Sequence, residues 1–193
     1  MVNSNVKKKL YKSEICNVKF PTTINNVTYL FRGEHYFTIN SNGKVKRKGR
    51  RISDDFIGVP NNLDAAVTTR YGYTYFFKGN QYYEVRRKRL ILGPKPISYR
   101  FKNIPNNLDA AFVHWKNGLI YFVKDGKFFR YESEGKQLSD IEIHENFHFM
   151  HVDLTAAFTS KRNSVFLLPY IVTIQNERKQ DTVGVKKFFK CNN

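Results

Sequence analysis

Five residues in the C-terminal third spell a catalytic pattern, His144-Glu145-Asn146-Phe147-His148. On a long helix this H-E-x-x-H spacing sets two imidazoles on one face for Zn²⁺, with a carboxylate beside the metal-bound water. That is the chemistry of peptide hydrolysis. It needs a third ligand, and the nearest candidate, His151, is only three residues beyond His148. The Gly and His that extend the pattern in one group of zinc peptidases are missing. The competing reading is a set of solvated histidines, His144, His148 and His151, able to pick up a stray Zn²⁺ or Ni²⁺.

A second group of residues could do binding rather than catalysis. Lys44, Lys46, Arg47, Lys48, Arg50 and Arg51 form one basic run, and Arg86, Arg87, Lys88 and Arg89 form another. With 33 Lys and Arg against 16 Asp and Glu, the chain carries a formal charge of +17 and is expected to attract polyanions. A sulfated glycosaminoglycan is the natural partner outside the cell. The alternative is that these cations guard strand edges against aggregation. Nucleic acid is not expected, because the aromatic residues sit at strand-alternating, core-directed positions rather than between exposed basic residues.

Four further signals concern compartment. Asn26-Val27-Thr28 is a glycosylation sequon, making Asn26 a candidate acceptor. Cys16 and Cys191 are the only cysteines and bracket most of the chain, which favours a disulfide and an oxidising compartment over two free thiols. No apolar run approaches the length of a membrane span. Residues 1–14 are basic and lack a signal-peptide core, so they read as a linker or hinge. The chain is then extracellular as part of a longer precursor, or intracellular if Met1 is the true start.

The elements that must carry these residues are set by a repeat. Val59-Pro60-Asn61-Asn62-Leu63-Asp64-Ala65-Ala66 recurs 45 residues later as Ile104-Pro105-Asn106-Asn107-Leu108-Asp109-Ala110-Ala111, and in degraded form as Leu154-Thr155-Ala156-Ala157. An aromatic strand pair follows the first two copies, Tyr75-Phe76-Phe77 with Tyr82-Tyr83 and Tyr121-Phe122-Val123 with Phe128-Phe129. The same block stands earlier as Tyr29-Leu30-Phe31 with Tyr36-Phe37, at a spacing of 46 residues. The second unit divides into four short segments, separated by turns at Gly72, Gly79-Asn80 and Gly93-Pro94. One helical turn then places Ile97 and Phe101 on a common face. A period of about 45 residues with four strands in each unit predicts a four-bladed all-β propeller, with blades at 16–58, 59–103, 104–149 and 150–191.

Leu-Asp-Ala-Ala followed by Tyr-Phe-Phe-Lys-Gly resembles the hemopexin repeat. Cys16 and the Arg32-Gly33-Glu34 hairpin make the chain most similar to the C-terminal hemopexin-like domain of matrix metalloproteinases. The resemblance implies a disulfide from the first blade to the last, between Cys16 and Cys191. It also implies a structural cation such as Ca²⁺ in the central channel, held by main-chain carbonyls at Pro21, Asp64, Asp109 and Thr155. No haem is implied. The expected partners are matrix proteins, protease inhibitors or glycosaminoglycan. A stand-alone member that binds small ligands or polyanions is the alternative.

The repeat also bears on the histidines. Ile143 and Phe147 align with Ile97 and Phe101, so His144 and His148 fall in a single closing turn, a poor scaffold for a catalytic metal. A non-catalytic binding module is the expectation, with no catalytic zinc.

Overall fold

The computed structural model describes residues 19–24, 27–39, 48–114, 116–132, 137–141, 156–160, 163–167, 171–175 and 180–184. Cys16, Cys191, Asn26, Lys44, Lys46, Arg47, Thr155, His144, Glu145, His148 and His151 lie outside them.

Each repeat unit folds as an antiparallel meander. The first sheet is β1 (Lys19–Ile24), β2 (Val27–Arg32), β3 (His35–Ile39) and the short β4 (Arg50–Arg51). The second is β5 (Ala65–Thr68), β6 (Tyr73–Lys78), β7 (Gln81–Arg86) and β8 (Arg89–Pro96). The third is β9 (Ala110–Val113), β10 (Ile120–Lys124), β11 (Lys127–Tyr131) and β12 (Gln137–Ile141). The fourth is β13 (Ala156–Ser160), β14 (Asn163–Leu167), β15 (Ile171–Gln175) and β16 (Gln180–Gly184). Two one-turn helices, α1 (Ile52–Asp55) and α2 (Ile97–Arg100), follow β4 and β8. The first strands of the sheets contact one another in turn, β1 with β5, β5 with β9, β9 with β13 and β13 with β1.

The side-chain period of a strand explains the aromatic runs. Successive residues point to opposite faces, and both faces of the second sheet are covered. Ala65, Tyr75, Phe77 and Tyr82 join the core shared with the third sheet. Ala66, Phe76, Tyr83 and Val85 join the core shared with the first. A strand buried on both sides has no solvent face, so Tyr75-Phe76-Phe77 runs without polar interruption. Ala65, Ala66, Ala110, Ala111 and Ala157 of the innermost strands are essentially inaccessible, and their small side chains permit the close approach of neighbouring first strands. Hydroxyls bridge the same approach: Thr22 of β1 lies 3.0 Å from Thr68 of β5, which in turn lies 3.0 Å from Thr74.

The closing turns behave as the repeat predicts. Phe101 donates its backbone N–H to Ile97 O at 2.8 Å, and both side chains are buried. Phe56 does the same with Ile52 in the first unit.

Two expectations need correction. Gly93-Pro94 was expected to end the second unit's last strand, but β8 runs through them to Pro96. The strand passes because Gly93 has φ +129°, and a Cβ there would lie 2.9 Å from Tyr82 O and 3.0 Å from Tyr83 Cα. The glycine lets β8 bulge against β7, where the register shifts on both sides of Glu84. Pro21 was matched with Asp64, yet Pro21 stands opposite Leu30 as Ala66 stands opposite Phe76. A register shift between Lys19 and Pro21 moves Pro21 along β1 into the place of the second alanine.

Candidate interaction site

Asp55 organises the boundary between the first two sheets. It ends α1, whose first residue Ile52 is buried and donates its N–H to Glu34 O at 2.8 Å. The turn seats Phe56 among Tyr29, Phe31, Tyr36 and Phe76, with ring centroids 5.4–5.8 Å away. Mostly edge-on packing of this kind is favoured by the ring quadrupoles. It holds the preceding carboxylate at the rim of the core.

Three groups converge on that carboxylate. Tyr36 Oη donates to Oδ2 at 2.6 Å, and Arg50 Nε lies 2.8 Å from the same oxygen. Lys88 Nζ reaches the other oxygen at 3.4 Å from the turn between β7 and β8. The ammonium also lies 5.5–5.8 Å from the ring centres of Tyr29, Tyr36 and Phe56, within cation–π range. Lys88 therefore crosses from the second sheet to the first. Its turn is a two-residue hairpin loop in which Arg87 and Lys88 both have positive φ, +50° and +65°. Asn-Gly is the usual choice for such a loop. Here the chain spends left-handed backbone on two long cations, and the ion pair and ring contacts offset part of that cost.

Ionisation follows from the contacts. Burial pushes the Asp55 carboxyl up, but the hydrogen bond from Tyr36 and the charges of Lys88 and Arg50 outweigh it and hold it below the ordinary 3.8. Burial, together with the bond to Asp55 and its charge, pushes the Tyr36 phenol well above its ordinary 10.0.

The basic residues picked from the sequence thus divide. Arg50 and Lys88 share the single negative charge of Asp55. Arg86 lays its guanidinium over Tyr73, 4.7 Å from the ring centre, and donates to the phenol oxygen at 3.2 Å. Lys48, Arg51, Arg87 and Arg89 are exposed, with no carboxylate of the described residues within ion-pair distance. The structure therefore does bring the two sequence runs together, through a carboxylate that no basic-run argument would single out.

The aspartates at the strand starts serve their own hairpins. Asp64 accepts from Lys78 Nζ at 2.8 Å and from the Gly79 N–H at 2.5 Å. Asp109 accepts from Lys124 Nζ at 3.1 Å and from the Asp125 N–H at 2.7 Å. Their carboxylates are committed, so the oxygens each could offer an ion are backbone carbonyls. Among the described residues no three His, Cys, Asp or Glu side chains gather as metal ligands.

The next boundary recasts the first with different charges. Arg100 occupies in α2 the place Asp55 holds in α1, and Tyr82 the place of Tyr36. No hydrogen-bond partner among the described residues meets Tyr82 Oη or Arg100 Nε. The carboxylate here comes from the strand, at the buried Glu84. Burial first, then the charge of Glu84, pushes the Tyr82 phenol up, while Arg100 pulls it down.

Comparison with known proteins places this architecture. Residues 63–106 match the Hemopexin family. The chain is 32% identical over 165 residues to vitronectin of Oryctolagus cuniculus, covering 74% of this chain and 34% of that protein. It is 30% identical over 165 residues to human matrix metalloproteinase-21, covering 72% of this chain and 29% of that one. The chain thus spans about a third of the length of these relatives. Among solved structures, a seed albumin from Dolichos superposes with a TM-score of 0.77 at 17% identity, covering 90% of this chain and 96% of that one. The hemopexin-fold protein CP4 from cow pea superposes at 0.73 with 14% identity over the same shares. At these identities the structural likeness concerns the fold.

Proposed function

The chain belongs to the hemopexin-like repeat family, and on that premise we propose that it is a non-catalytic protein-interaction module whose sheets are the blades of a four-bladed propeller. The reading is carried by one observation: Arg51 of the first sheet and Arg87 and Arg89 of the second are exposed and unpaired among the described residues, on the elements that supply Arg50 and Lys88 to Asp55. Cations left open to solvent beside a fixed scaffold form a surface for an anionic partner. Vitronectin and matrix metalloproteinase-21 as relatives support an extracellular setting, with matrix proteins, protease inhibitors or glycosaminoglycan as partners. The domain then forms part of a longer matrix metalloproteinase-like protein, or a stand-alone member of the family.

The test uses the whole chain over immobilised heparin and immobilised matrix proteins. Replacing Arg51, Arg87 and Arg89 together by alanine is expected to weaken binding at least about tenfold at low salt and to flatten its salt dependence. Unchanged binding by the triple variant rejects this surface. Cleavage of a peptide substrate by the chain, lost in Glu145→Gln, rejects the non-catalytic reading.

Two structural parts of the proposal have separate tests. A Cys16–Cys191 bond closing the first blade on the last predicts an intact mass lower than that of the reduced chain by two hydrogens. Free thiols at both positions would refute it. Ca²⁺ in the channel fits hard backbone-carbonyl donors at Asp64 and Asp109, whose carboxylates are held in their hairpins. Ca²⁺ is therefore expected to raise Tm in proportion to the logarithm of its concentration above Kd. A Tm indifferent to millimolar Ca²⁺ and to chelator removes the ion from the proposal.

A further inference from the structure

The boundary of the second and third sheets repeats the phenol and the cation of the Asp55 clamp without its acceptor. In the first sheet Tyr36 of β3 is directly across from Arg50 of β4, and both reach the carboxylate in α1. In the second, Tyr82 of β7 is directly across from Lys95 of β8. Opposed residues of antiparallel strands share a face, so phenol and cation recur side by side. The closing turn hangs from its sheet in the same way, Ile97 donating its N–H to Asn80 O at 2.9 Å as Ile52 does to Glu34 O. At the place of Asp55 this turn carries Arg100.

The donors lie around Tyr82. The Arg100 guanidinium is 5.3 Å from the ring centre of Tyr75, whose ring is 6.1 Å from that of Tyr82. Lys95 Nζ lies 5.3 Å from the ring centre of Tyr99, the residue before Arg100. Burial raises the Tyr82 phenol most, and Glu84, Arg100 and Tyr99 are all near enough to act on it by charge. Tyr82 is fully buried, and its Oη, like Arg100 Nε, is inaccessible and without a partner among the described residues. Buried donors of this kind carry a desolvation cost that no acceptor offsets. The nearest described acid is Glu84, across from Tyr75, and it forms no ion pair with Arg100 or Lys95.

From this we infer that the second boundary binds a side-chain carboxylate of an acidic polypeptide partner, which takes among Tyr82, Lys95 and Arg100 the place that Asp55 fills from within at the first. The first boundary shows what such a phenol and cation hold: one carboxylate oxygen of Asp55 accepts from both Tyr36 and Arg50. Arg100 and Lys95 are only partly buried, and Tyr99 beside them is 65% exposed, so the cations face the outside of the boundary. The incoming acid meets them first and reaches the phenol as the Arg100 side chain turns. A charge-assisted bond to a buried donor is among the stronger contacts a partner can make. The site shares no residue with Arg51, Arg87 and Arg89, so it stands or fails apart from the surface they form.

The experiment follows the arginine Nε–H signals of the ¹⁵N-labelled whole chain by NMR during titration with three probes: N-acetylglutamate α-amide, N-acetylglutamine α-amide and methyl sulfate. The Arg100 signal, identified by its loss in Arg100→Gln, is expected to move saturably with the glutamate probe and not with the glutamine probe. Tyr82→Phe should weaken glutamate binding at least about tenfold. Its Tm should hold or rise, because the hydroxyl it removes has no partner to lose, whereas Tyr36→Phe should lower Tm. Lys95→Ala, at a more exposed cation, should weaken binding by about threefold. Arg100→Asp restores the arrangement of the first boundary and should keep the fold while abolishing binding. An equal response to the glutamate and glutamine probes overturns the inference. Methyl sulfate binding as tightly as glutamate overturns it in favour of a sulfated polysaccharide. Glu134 follows Lys88 by one 46-residue period in the sequence. A response that appears only in Glu134→Gln would show that this chain supplies its own acid, and no response in either chain would show that no carboxylate binds; both overturn the inference.

Discussion

Phe101→Ala is expected to remove about 3–5 kcal/mol of unfolding free energy. The side chain is inaccessible and sits at the centre of a ring cluster, with centroids 5.0 Å from Phe122, 5.2 Å from Tyr75 and 5.7 Å from Tyr82 and Tyr131. Its neighbours belong to two sheets and cannot all move into the space, so the loss combines transfer free energy with an unfilled cavity. A typical domain has about 5–15 kcal/mol in total, so the variant is expected to lose a large share of its stability. Phe101→Leu keeps most of the volume and should cost less than half as much. Tyr99→Ala, at a side chain 65% exposed, should change stability by less than about 0.5 kcal/mol. Urea unfolding of the three variants checks the order. A loss below about 1 kcal/mol for Phe101→Ala would show that this boundary is not where the fold's energy lies.

Asp55→Ala is expected to cost about 2 kcal/mol. The larger part is the buried Tyr36 hydroxyl left without its acceptor, which carries a desolvation cost of about 1–3 kcal/mol. The contacts with Arg50 and Lys88 add less, because both cations are substantially exposed and screened. The pH dependence has a defined sign. The Asp55 carboxyl is held lower in the folded protein than its ordinary 3.8, so its contribution is complete above that value. It declines as pH falls through the ordinary value and disappears below the folded one. Asp55→Asn should flatten this acid-side loss of stability relative to the parent. Acid unfolding followed by tyrosine fluorescence reads the difference, and superimposable curves would show that the carboxylate is not a significant clamp.

Local patterns in the sequence were the most informative. The 46-residue recurrence of aromatic pairs located the second and third strands of the first three sheets, and Ile97 with Phe101 marked the closing turn, because these features recur within each unit. What the repeat hid was exchange between units. Asp55 and Arg100 hold equivalent places with opposite charge, and the cations that meet Asp55 stand on other elements, so no alignment of one unit on another reveals the pairing. The basic runs were legible as runs. That Arg50 and Lys88 are committed to one carboxylate, while Arg51, Arg87 and Arg89 are not, depends on a hairpin turn reaching across a boundary. Gly93-Pro94 read as a turn because composition alone does not show that a strand can bulge at a glycine.

The left-handed pair Arg87-Lys88 has a consequence for proteolysis. Arg86-Arg87-Lys88-Arg89 offers four consecutive sites to a trypsin-like protease. Such enzymes thread substrates as extended strands, which a tight turn tethered through Lys88 to Asp55 cannot supply without letting go. Cleavage there would have to wait for a local opening, so its rate reports how often the two sheets release each other. A protein displayed among extracellular proteases would have this basic turn shielded by geometry, for as long as a single carboxylate keeps its charge.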